Sequence, residues 1–460
     1  MQEKRAAVLG AGVSGLATAH YLKKNGFEVS VYEKYDRPGG QLHSTREKDY
    51  LLDKGTLAAI ETTNLIPSLV EELKLGEQFV YAGEKANLKQ AYIGGKLYEL
   101  SMNPENLFKF PLFTLRSRLR FFIEPFIPRS RKDGRLAVAE FIRRRLGEEF
   151  LNYIIEPFAS EVYAGDPEKL SIEAAYPKLF RLEQEYGSIV KGFKKAPLSS
   201  EKKDEYTGSG KLFSFKGGMD QLTAALSKSL GYRVNYLHDI VRIEPGESGG
   251  YSLVINRKGD IRKENFDVVV SALPAYILAE SIRPVSDSLA GMLNRVEYVP
   301  LTQVYISYLK QDLELSPKGY TVLIPAIEKN EVLNITIVSE LFPERCPEDR
   351  VLFSVMMGGS RNPGLAEDDP TGVKKKAIST VSEIFKSKDK PVFVSHKSWR
   401  KGVPQYNTGH YDILETIREF EASHKGFFVT GNYVGGVSVG DSILSSFKTA
   451  ERAARLFPKK

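Results

Sequence analysis

Short apolar runs and amphipathic stretches alternate along the first part of the chain. The run at 6–10 is continuously apolar and predicts a buried parallel strand. The stretch 16–25 has its apolar residues on one helical face, Gly26 is placed to end that helix, and 27–32 predicts a second strand. This order predicts a strand–helix–strand unit at the start of the sequence.

The middle of the chain is predicted to be richer in strands. Apolar or alternating runs at 266–272, 301–309 and 350–357 predict strands, and 221–230 predicts a helix. Residues 194–211 are rich in Lys, Ser and Gly and are typical of a mobile loop. Strand-rich sequence between two ends of strand–helix character indicates a domain built from separated segments, with a second domain inserted into it.

A glycine pattern fills the turn between the first predicted strand and helix. Gly10, Gly12 and Gly15 have GxGxxG spacing, which permits a tight turn, close approach to a pyrophosphate and close packing of helix on strand. Free N–H groups at the helix start would face the phosphates. Glu33 closes the second strand, where a carboxylate accepts hydrogen bonds from a ribose hydroxyl. The ordered set predicts a dinucleotide site; a structural glycine-rich turn is the alternative.

Two further glycine-rich segments indicate which dinucleotide is bound. The pair Gly39-Gly40 is not part of the minimal nicotinamide fingerprint and resembles the extended motif of FAD-binding proteins. Near the other end, a predicted strand at 427–430 leads into Gly431, and Asp441 stands at the start of a last predicted helix. This segment resembles the part of such enzymes that approaches the flavin. An ordinary helix N-cap is the alternative for Asp441.

Composition places the chain among ordinary globular proteins. It has 460 residues, 42% of them apolar and 27% charged, enough for two or three domain cores. Lys and Arg number 65 against 58 Asp and Glu, a net charge of +7 that permits an acidic substrate or an anionic membrane surface. Cys346 is the single cysteine, so no disulfide within the chain and no metal site is predicted. With no membrane-spanning run of roughly 18 residues and no leader sequence, we expect a soluble or peripheral cytoplasmic protein.

The segment 106–132 combines cations with aromatic residues. Seven Lys or Arg and six Phe are interleaved there, and Glu124 is one of at most two opposing acids. Apolar and aromatic groups beside cations suit a membrane interface, so peripheral contact with the inner face of the cell membrane is predicted. The alternative is a helical domain with a phenylalanine core and a solvated arginine face. Nucleic acid is not a predicted partner, because no binding motif accompanies the cations.

Four segments share their residues with one family of flavoenzymes. The most specific reads Glu-Pro-Phe-Ala-Ser-Glu-Val-Tyr-Ala-Gly-Asp-Pro-Glu-Lys-Leu-Ser over 156–171. The others are Trp399, the triplet Pro-Gln-Tyr and the pair Gly-His within 404–410, and Gly-Asn-Tyr-Val-Gly-Gly over 431–436. Together they resemble the oxygen-dependent protoporphyrinogen oxidases, the FAD enzymes of haem biosynthesis. The glycine fingerprint alone is shared with monoamine oxidases and carotenoid desaturases, so the run at 156–171 carries the resemblance.

The resemblance implies a fold of mixed α/β and α+β class. Its parts are a Rossmann-like FAD domain of the p-hydroxybenzoate-hydroxylase type, an inserted strand-rich substrate domain and a helical membrane-binding domain. The FAD domain is expected at 1–86, 211–285 and 400–460. The substrate domain is expected at 87–100 and 286–399, and the membrane-binding domain at 101–210.

The resemblance also implies a reaction. A porphyrinogen gives hydride to N5 of the flavin, and dioxygen reoxidises the flavin with release of hydrogen peroxide. Protoporphyrinogen IX loses six hydrogens on becoming protoporphyrin IX, so the flavin would cycle three times. No side chain is assigned as a catalytic base, because proton loss from the ring system completes the aromatisation. The six histidines are interpreted as surface or structural residues.

Residue roles carry over from the family at individual positions. The glycines and acids of the FAD motifs are implied cofactor contacts, as are Val241, through its backbone near the adenine, and Trp399, beside the isoalloxazine. Tyr320 and Leu323 match residues that sandwich a pyrrole ring, and Leu333 matches another apolar clamp. Core packing is the alternative for each of the apolar residues.

Three positions depart from the family pattern. Ala91 stands where many members have an arginine that pairs with a substrate propionate, and Leu57 stands where many have an asparagine. Glu161 stands where glycine is usual, which predicts a carboxylate near the substrate cavity. Because a buried propionate needs a cationic partner, Lys89 is the candidate substitute; a solvated surface lysine is its alternative.

Three functional hypotheses stay open. The first is protoporphyrinogen oxidation, and the second is oxidation of coproporphyrinogen III to coproporphyrin III. The third is a non-catalytic flavin-bearing partner that binds a porphyrin and hands it on. Within the run at 156–171, the part from Val162 to Ser171 disfavours a flavin amine oxidase or a carotenoid desaturase. Hand-off of product to a ferrochelatase and assembly into a homodimer are further partner hypotheses.

Overall fold

The computed structural model describes residues 4–101, 104–195, 207–247, 249–314 and 317–458. Most of the predicted mobile loop at 194–211 lies outside the described residues, as do parts of the expected helical domain.

The strands are β1 (Arg5–Leu9), β2 (Glu28–Glu33), β3 (Ser44–Glu47), β4 (Tyr50–Asp53), β5 (Ala59–Ile60), β6 (Phe79–Tyr81), β7 (Lys89–Ile93), β8 (Lys96–Leu100), β9 (Leu212–Phe215), β10 (Val234–Tyr236), β11 (Asp239–Pro245), β12 (Tyr251–Arg257), β13 (Asp260–Phe266), β14 (Val268–Ser271), β15 (Tyr298–Leu309), β16 (Thr321–Leu323), β17 (Val332–Ile337), β18 (Arg350–Gly358), β19 (Phe393–Pro404) and β20 (Phe427–Val429).

The α-helices are α1 (Val13–Lys24), α2 (Leu65–Glu72), α3 (Pro104–Phe108), α4 (Leu115–Ile123), α5 (Val138–Arg145), α6 (Glu148–Phe150), α7 (Glu156–Tyr163), α8 (Ile172–Ala175), α9 (Pro177–Tyr186), α10 (Ile189–Lys195), α11 (Asp220–Leu230), α12 (Ala275–Ile282), α13 (Asp287–Leu293), α14 (Val338–Leu341), α15 (Pro370–Phe385), α16 (His410–Ser423) and α17 (Val439–Leu456).

A parallel sheet carries the N-terminal strand–helix–strand unit. Its order is β10-β2-β1-β14-β20, so strands from distant parts of the chain are neighbours. Helices α1, α11 and α17 cover one face, and the three-stranded sheet β11-β12-β13 with α12, α13 and α16 covers the other. Because both faces are covered, β1 is apolar and buried along nearly its whole length.

The local predictions for this sheet are confirmed with small shifts at the element ends. The predicted strands at 6–10 and 27–32 are β1 and β2. Helix α1 begins three residues before the predicted start, because Gly12 is its N-cap. Gly26 follows the helix with φ +87°, and its N–H donates to the Lys23 carbonyl at 3.0 Å, as expected of a helix-ending glycine.

A mixed sheet forms a second layer, in the order β19-β15-β18-β17-β16-β7-β8. One face packs on α15 through residues such as Val304 and Val355. The other face turns toward the loops of the nucleotide-binding part. There the Tyr305 hydroxyl donates to the Asp53 carbonyl at 2.7 Å, and the Gly55 N–H donates to Gln303 Oε1 at 3.1 Å.

Helices α4 to α10 form a separate hydrophobic core beside the second sheet. Leu323 and Ala91 of that sheet belong to the same core, so the helical part packs directly on its β16 and β7 strands. The mixture of a parallel, helix-covered sheet with largely antiparallel strands and a helical part agrees with the expected class. The division into three domains by residue number stays a prediction.

Candidate functional site

The turn between β1 and α1 has the shape that a bound diphosphate requires. Gly10 has φ +96°, a left-handed conformation that favours glycine. A Cβ at Gly15 would lie 1.9 Å from the Gly10 carbonyl oxygen, so only glycine fits there. A Cβ at Gly12 would meet nothing within 4 Å, which leaves open space beside the first N–H groups of α1. The helix start has no side-chain cap and no acid in its first turn, so its dipole can stabilise an anion.

The second glycine pair lies against this turn. The Gly39 N–H donates to the Ala11 carbonyl at 2.9 Å, and a β-bridge joins Gly12 to Gly39. A Cβ at Gly40 would lie 3.5 Å from the Gly12 Cα. The structure therefore brings the two predicted glycine groups to one place.

The carboxylate of Glu33 lies beside the same turn, at the end of β2. It is buried and accepts the N–H groups of Ala11 at 2.8 Å and Tyr35 at 2.9 Å. A carboxylate has about four lone-pair sites, so it retains capacity for ribose hydroxyls. Val241 sits at a bulge of β11, between residues that pair with β12, and has no partner of its own in that ladder.

A glycine-rich loop, 431–436, connects β20 to α17. Gly431 and Gly436 have φ of +129° and +118°. Ser438 is the N-cap of α17: its hydroxyl accepts the Asp441 N–H at 3.0 Å and donates to the Asp441 carboxylate at 2.6 Å. The alternative that Asp441 is the N-cap is therefore wrong, and Asp441 lies in the first turn of the helix. A Cβ at Gly436 would lie 2.7 Å from its side chain.

These residues fit FAD. The cradle offers open space at Gly12, an uncapped helix start and a buried carboxylate with spare acceptor capacity. The second helix start, at α17, carries the acid and glycine that the family resemblance placed near the flavin.

Trp399 belongs to an apolar wall on the second sheet. It lies on β19 opposite Leu301 of β15 and packs, half-buried, in a cluster with Ala164, Leu333 and Met356. We call these five residues the apolar wall. Ala164, which follows α7, has φ +47°, so the family-specific run at 156–171 delivers a residue to the wall through a tight turn. Ala164, Leu301 and Met356 were not predicted as site residues, because nothing local distinguishes them from core residues.

The two residues of the predicted pyrrole sandwich lie in different hydrophobic clusters. Leu323 is fully buried in the helical core with Ala91. Tyr320 is half-buried against Leu57 and Phe342, in another cluster. The burial of Leu323 favours the core-packing alternative for that residue. Of the three predicted substrate clamps, only Leu333 joins the cluster that contains the tryptophan, and because it is 1% exposed the core-packing alternative stays open for it too.

Lys89 and Glu161 form an ion pair between β7 and α7. The side chains are 24% and 20% exposed, respectively, and the Lys89 ammonium lies 5.4 Å from the centroid of the Phe158 ring. The predicted substitute cation and the predicted extra carboxylate therefore neutralise each other. Ala91, at the position of the family's arginine, is fully buried opposite Leu323.

The segment 106–132 divides its apolar residues between core and surface. Phe110 and Phe113 are buried in the helical core, which confirms the core alternative for those two. Phe122 and Phe126 do not fit that alternative, because they are exposed by 64% and 83%. Three aliphatic residues of α4 are exposed beside them: Leu115 by 75%, Leu119 by 52% and Ile123 by 58%. We call these five residues the α4 apolar surface.

Two kinds of feature are absent from the described residues. No helix there is long and apolar enough to cross a membrane. No group of three or more potential metal ligands is found in the same ranges.

Comparison with known proteins identifies the family. The sequence profile described as "Flavin containing amine oxidoreductase" matches residues 13–454. The chain is 31% identical over 476 residues to protoporphyrinogen oxidase 2 of Arabidopsis thaliana, covering 97% of this chain and 93% of that protein. It is 22% identical to coproporphyrinogen III oxidase of Bacillus subtilis, covering 96% of each. The solved cyclohexylamine oxidase of Brevibacterium oxydans has a TM-score of 0.71 at 16% identity, covering 100% of both chains, which confirms the fold class. The chain therefore belongs to the flavin containing amine oxidoreductase family and is an FAD-dependent oxidase.

Proposed function

We propose that this oxidase converts protoporphyrinogen IX to protoporphyrin IX, with dioxygen as the electron acceptor and hydrogen peroxide as the product. The apolar wall carries the proposal, because a flat, largely apolar macrocycle needs a broad hydrophobic surface near the flavin. Two hydrogen bonds connect the wall to loop 431–436. The carbonyl of Tyr163, the residue before Ala164, accepts the Gln405 side-chain amide at 2.8 Å. The hydroxyl of the next residue, Tyr406, donates to the loop. The name of the Arabidopsis relative supports the same substrate.

The chain's own residues would bind and orient both molecules. The start of α1 with Gly12 faces the diphosphate, Glu33 accepts the ribose hydroxyls, and the backbone of Val241 meets the adenine. Asp441 would approach the ribityl chain and the start of α17 would face the flavin ring, while the apolar wall would hold the macrocycle and exclude water. Bound FAD supplies the two-electron acceptor. Removal of six hydrogens needs three two-electron oxidations, each balanced by reduction of one dioxygen to hydrogen peroxide.

The second candidate function is oxidation of coproporphyrinogen III to coproporphyrin III. The full-length similarity to the Bacillus subtilis protein of that name favours it. The Lys89–Glu161 ion pair argues against it, because a substrate with four propionates needs more unpaired cations than one with two. We therefore rank protoporphyrinogen first.

Anaerobic mixing of the FAD-loaded protein with each porphyrinogen in turn tests the proposal. Loss of the flavin visible band with protoporphyrinogen, followed by hydrogen peroxide and a fluorescent porphyrin when air is admitted, is expected. Faster bleaching by coproporphyrinogen would select the second candidate. Bleaching by neither, with FAD bound, would reject both and favour the non-catalytic porphyrin-binding hypothesis.

Gly12→Glu provides the matched control. A Cβ at this position meets no atom within 4 Å, so the side chain leaves the backbone without a clash. Its carboxylate would occupy the space of the diphosphate and repel it. The variant is expected to fold, to lack FAD and to leave both porphyrinogens unoxidised, which separates enzymatic turnover from autoxidation.

We further propose that the α4 apolar surface attaches the protein peripherally to an anionic membrane. Arg116 and Arg118 lie on the same helix, and the Lys191 ammonium lies 5.7 Å from the centroid of the exposed Phe126 ring. Phe122→Ser is expected to reduce co-sedimentation with vesicles that contain phosphatidylglycerol. Ile261→Ser, at a residue 64% exposed on β13, is the control and should co-sediment as the wild type does. Equal sedimentation of both variants would reject the surface as the attachment site.

A further inference from the structure

We propose that Tyr406 and His410 are positioning residues that fix the shape of loop 431–436 for FAD. The Tyr406 hydroxyl donates to the Asn432 carbonyl at 2.8 Å and accepts the Gly436 N–H at 3.0 Å. A single side chain thus spans the loop from near its beginning to its end. Gly436 is the residue that packs against the Asp441 side chain, so the hydroxyl also sets how the loop meets the start of α17.

His410 holds the same loop at its centre and supports the tyrosine ring. Its Nε2 lies 2.9 Å from the Tyr433 carbonyl, and because a carbonyl only accepts, Nε2 carries the proton. The imidazole stacks on the Tyr406 ring, with centroids 4.2 Å apart and planes 15° from parallel. Burial lowers the pKa of His410 to about 4, so the ring is neutral at neutral pH and its donor role does not change there.

The loop needs such support because of its own backbone. Gly431 and Gly436 adopt φ values that favour glycine, and glycine loses more conformational freedom on ordering than any other residue. Side-chain hydrogen bonds from outside the loop offset that loss before the cofactor arrives. A preorganised loop binds FAD more tightly than one that must be ordered on binding.

The same segment is also bonded to the helical part. The Tyr406 carbonyl accepts the Ser171 N–H at 2.8 Å, and a β-bridge joins Leu170 to Asn407. The Gln405 side-chain amide donates to the Tyr163 carbonyl at 2.8 Å. The segment that carries Tyr406 and His410 therefore connects the family-specific run at 156–171 to loop 431–436.

Tyr406→Phe tests the positioning role of Tyr406 without any substrate. It removes two hydrogen bonds and keeps the stacked ring, so FAD is expected to bind the apoprotein about ten-fold more weakly. The dissociation constant is measured by quenching of flavin fluorescence on reconstitution. The visible spectrum and midpoint potential of the bound flavin should shift too, which a purely structural role of Tyr406 would not produce.

Tyr176→Phe is the matched control. Its hydroxyl is buried and has no hydrogen-bond partner among the described residues, so its removal should leave FAD affinity and spectrum unchanged. The proposal is overturned if Tyr406→Phe binds FAD as tightly as Tyr176→Phe does, with the same flavin spectrum.

A measurement on the wild-type apoprotein covers the case in which Tyr406→Phe does not fold. Amide hydrogen exchange of the peptide that contains Gly436 should be protected before FAD is added, because its N–H is already donated to the tyrosine. Exchange at the rate of an unstructured loop would overturn the proposal.

Discussion

Arg145→Met should destabilise the helical part of the protein by about 3–5 kcal/mol at neutral pH, because it removes the arginine that pairs with the buried Glu124 carboxylate and one of the two arginines that pair with Glu183. Arg145, Glu124 and Glu183 are all fully buried. The guanidinium donates to the Glu124 carboxylate at 2.6 Å and, through Nε, to the Glu183 carboxylate at 2.9 Å. It also donates to the carbonyls of Ile127 at 3.2 Å and Pro128 at 3.1 Å. Methionine fills a similar volume but satisfies none of these acceptors.

The pH dependence of this loss follows from the pKa of Glu183. Burial by itself raises that pKa, yet hydrogen bonds from Ser130 and Arg145 hold it below its usual value of 4.5. In the wild type, this carboxylate therefore stabilises the fold above about pH 4.5, and its contribution is lost in acid. Without Arg145, Glu183 keeps Ser130 and Arg144 as partners, but burial is opposed less strongly, so its pKa rises and protonation relieves the variant as the pH falls. The stability difference between the two proteins should thus shrink from pH 8 to pH 5.

Urea unfolding followed by far-ultraviolet circular dichroism measures the effect. Trp399, the single tryptophan, lies on the second sheet, so its fluorescence reports on that layer separately. Arg143→Met is the control, since this arginine is on the same helix but 40% exposed, with ion pairs to Glu148 and Glu168. It should lose less than about 1 kcal/mol. The reasoning is refuted if the two variants unfold alike at neutral pH, or if Arg145→Met is weakened more at pH 5 than at pH 8.

Other substitutions separate binding from folding. Glu161→Gln frees Lys89, so the ratio of kcat/KM for coproporphyrinogen over protoporphyrinogen should rise about five-fold; an unchanged ratio would remove the pair from substrate selection. Gly15→Ala should lower the melting temperature of the apoprotein, because a Cβ there meets a carbonyl oxygen at 1.9 Å. Gly12→Ala should weaken FAD binding and leave that melting temperature unchanged, because a Cβ there meets nothing within 4 Å. Ser438→Ala removes the cap of α17 and should destabilise the protein by about 1 kcal/mol in thermal unfolding; no loss would show that water replaces the hydroxyl.

The sequence alone was sufficient where the determining interactions are local. The strand at 6–10, its glycine turn and the following helix were predicted to within three residues, because apolar spacing and glycine placement act over one or two turns of chain. Ser438 shows that even a local signal can be misread. The sequence contains the Ser-x-x-Asp spacing of a reciprocal cap, yet the expectation centred on the acid alone.

Tertiary structure decided every relation between distant residues. Lys89 and Glu161 were each predicted near the substrate, but their mutual neutralisation depends on β7 and α7 packing together. Tyr320 and Leu323 are only three positions apart, yet they pack in different hydrophobic clusters. Leu323 packs in the core of the helical part, whereas Tyr320 packs in the cluster that contains Phe342. Tyr406 is another such case, since its hydroxyl reaches loop 431–436 only after the chain returns to β20. A sequence pattern records which face of an element is apolar, whereas the partner that this face meets is fixed only by the packing of the whole chain.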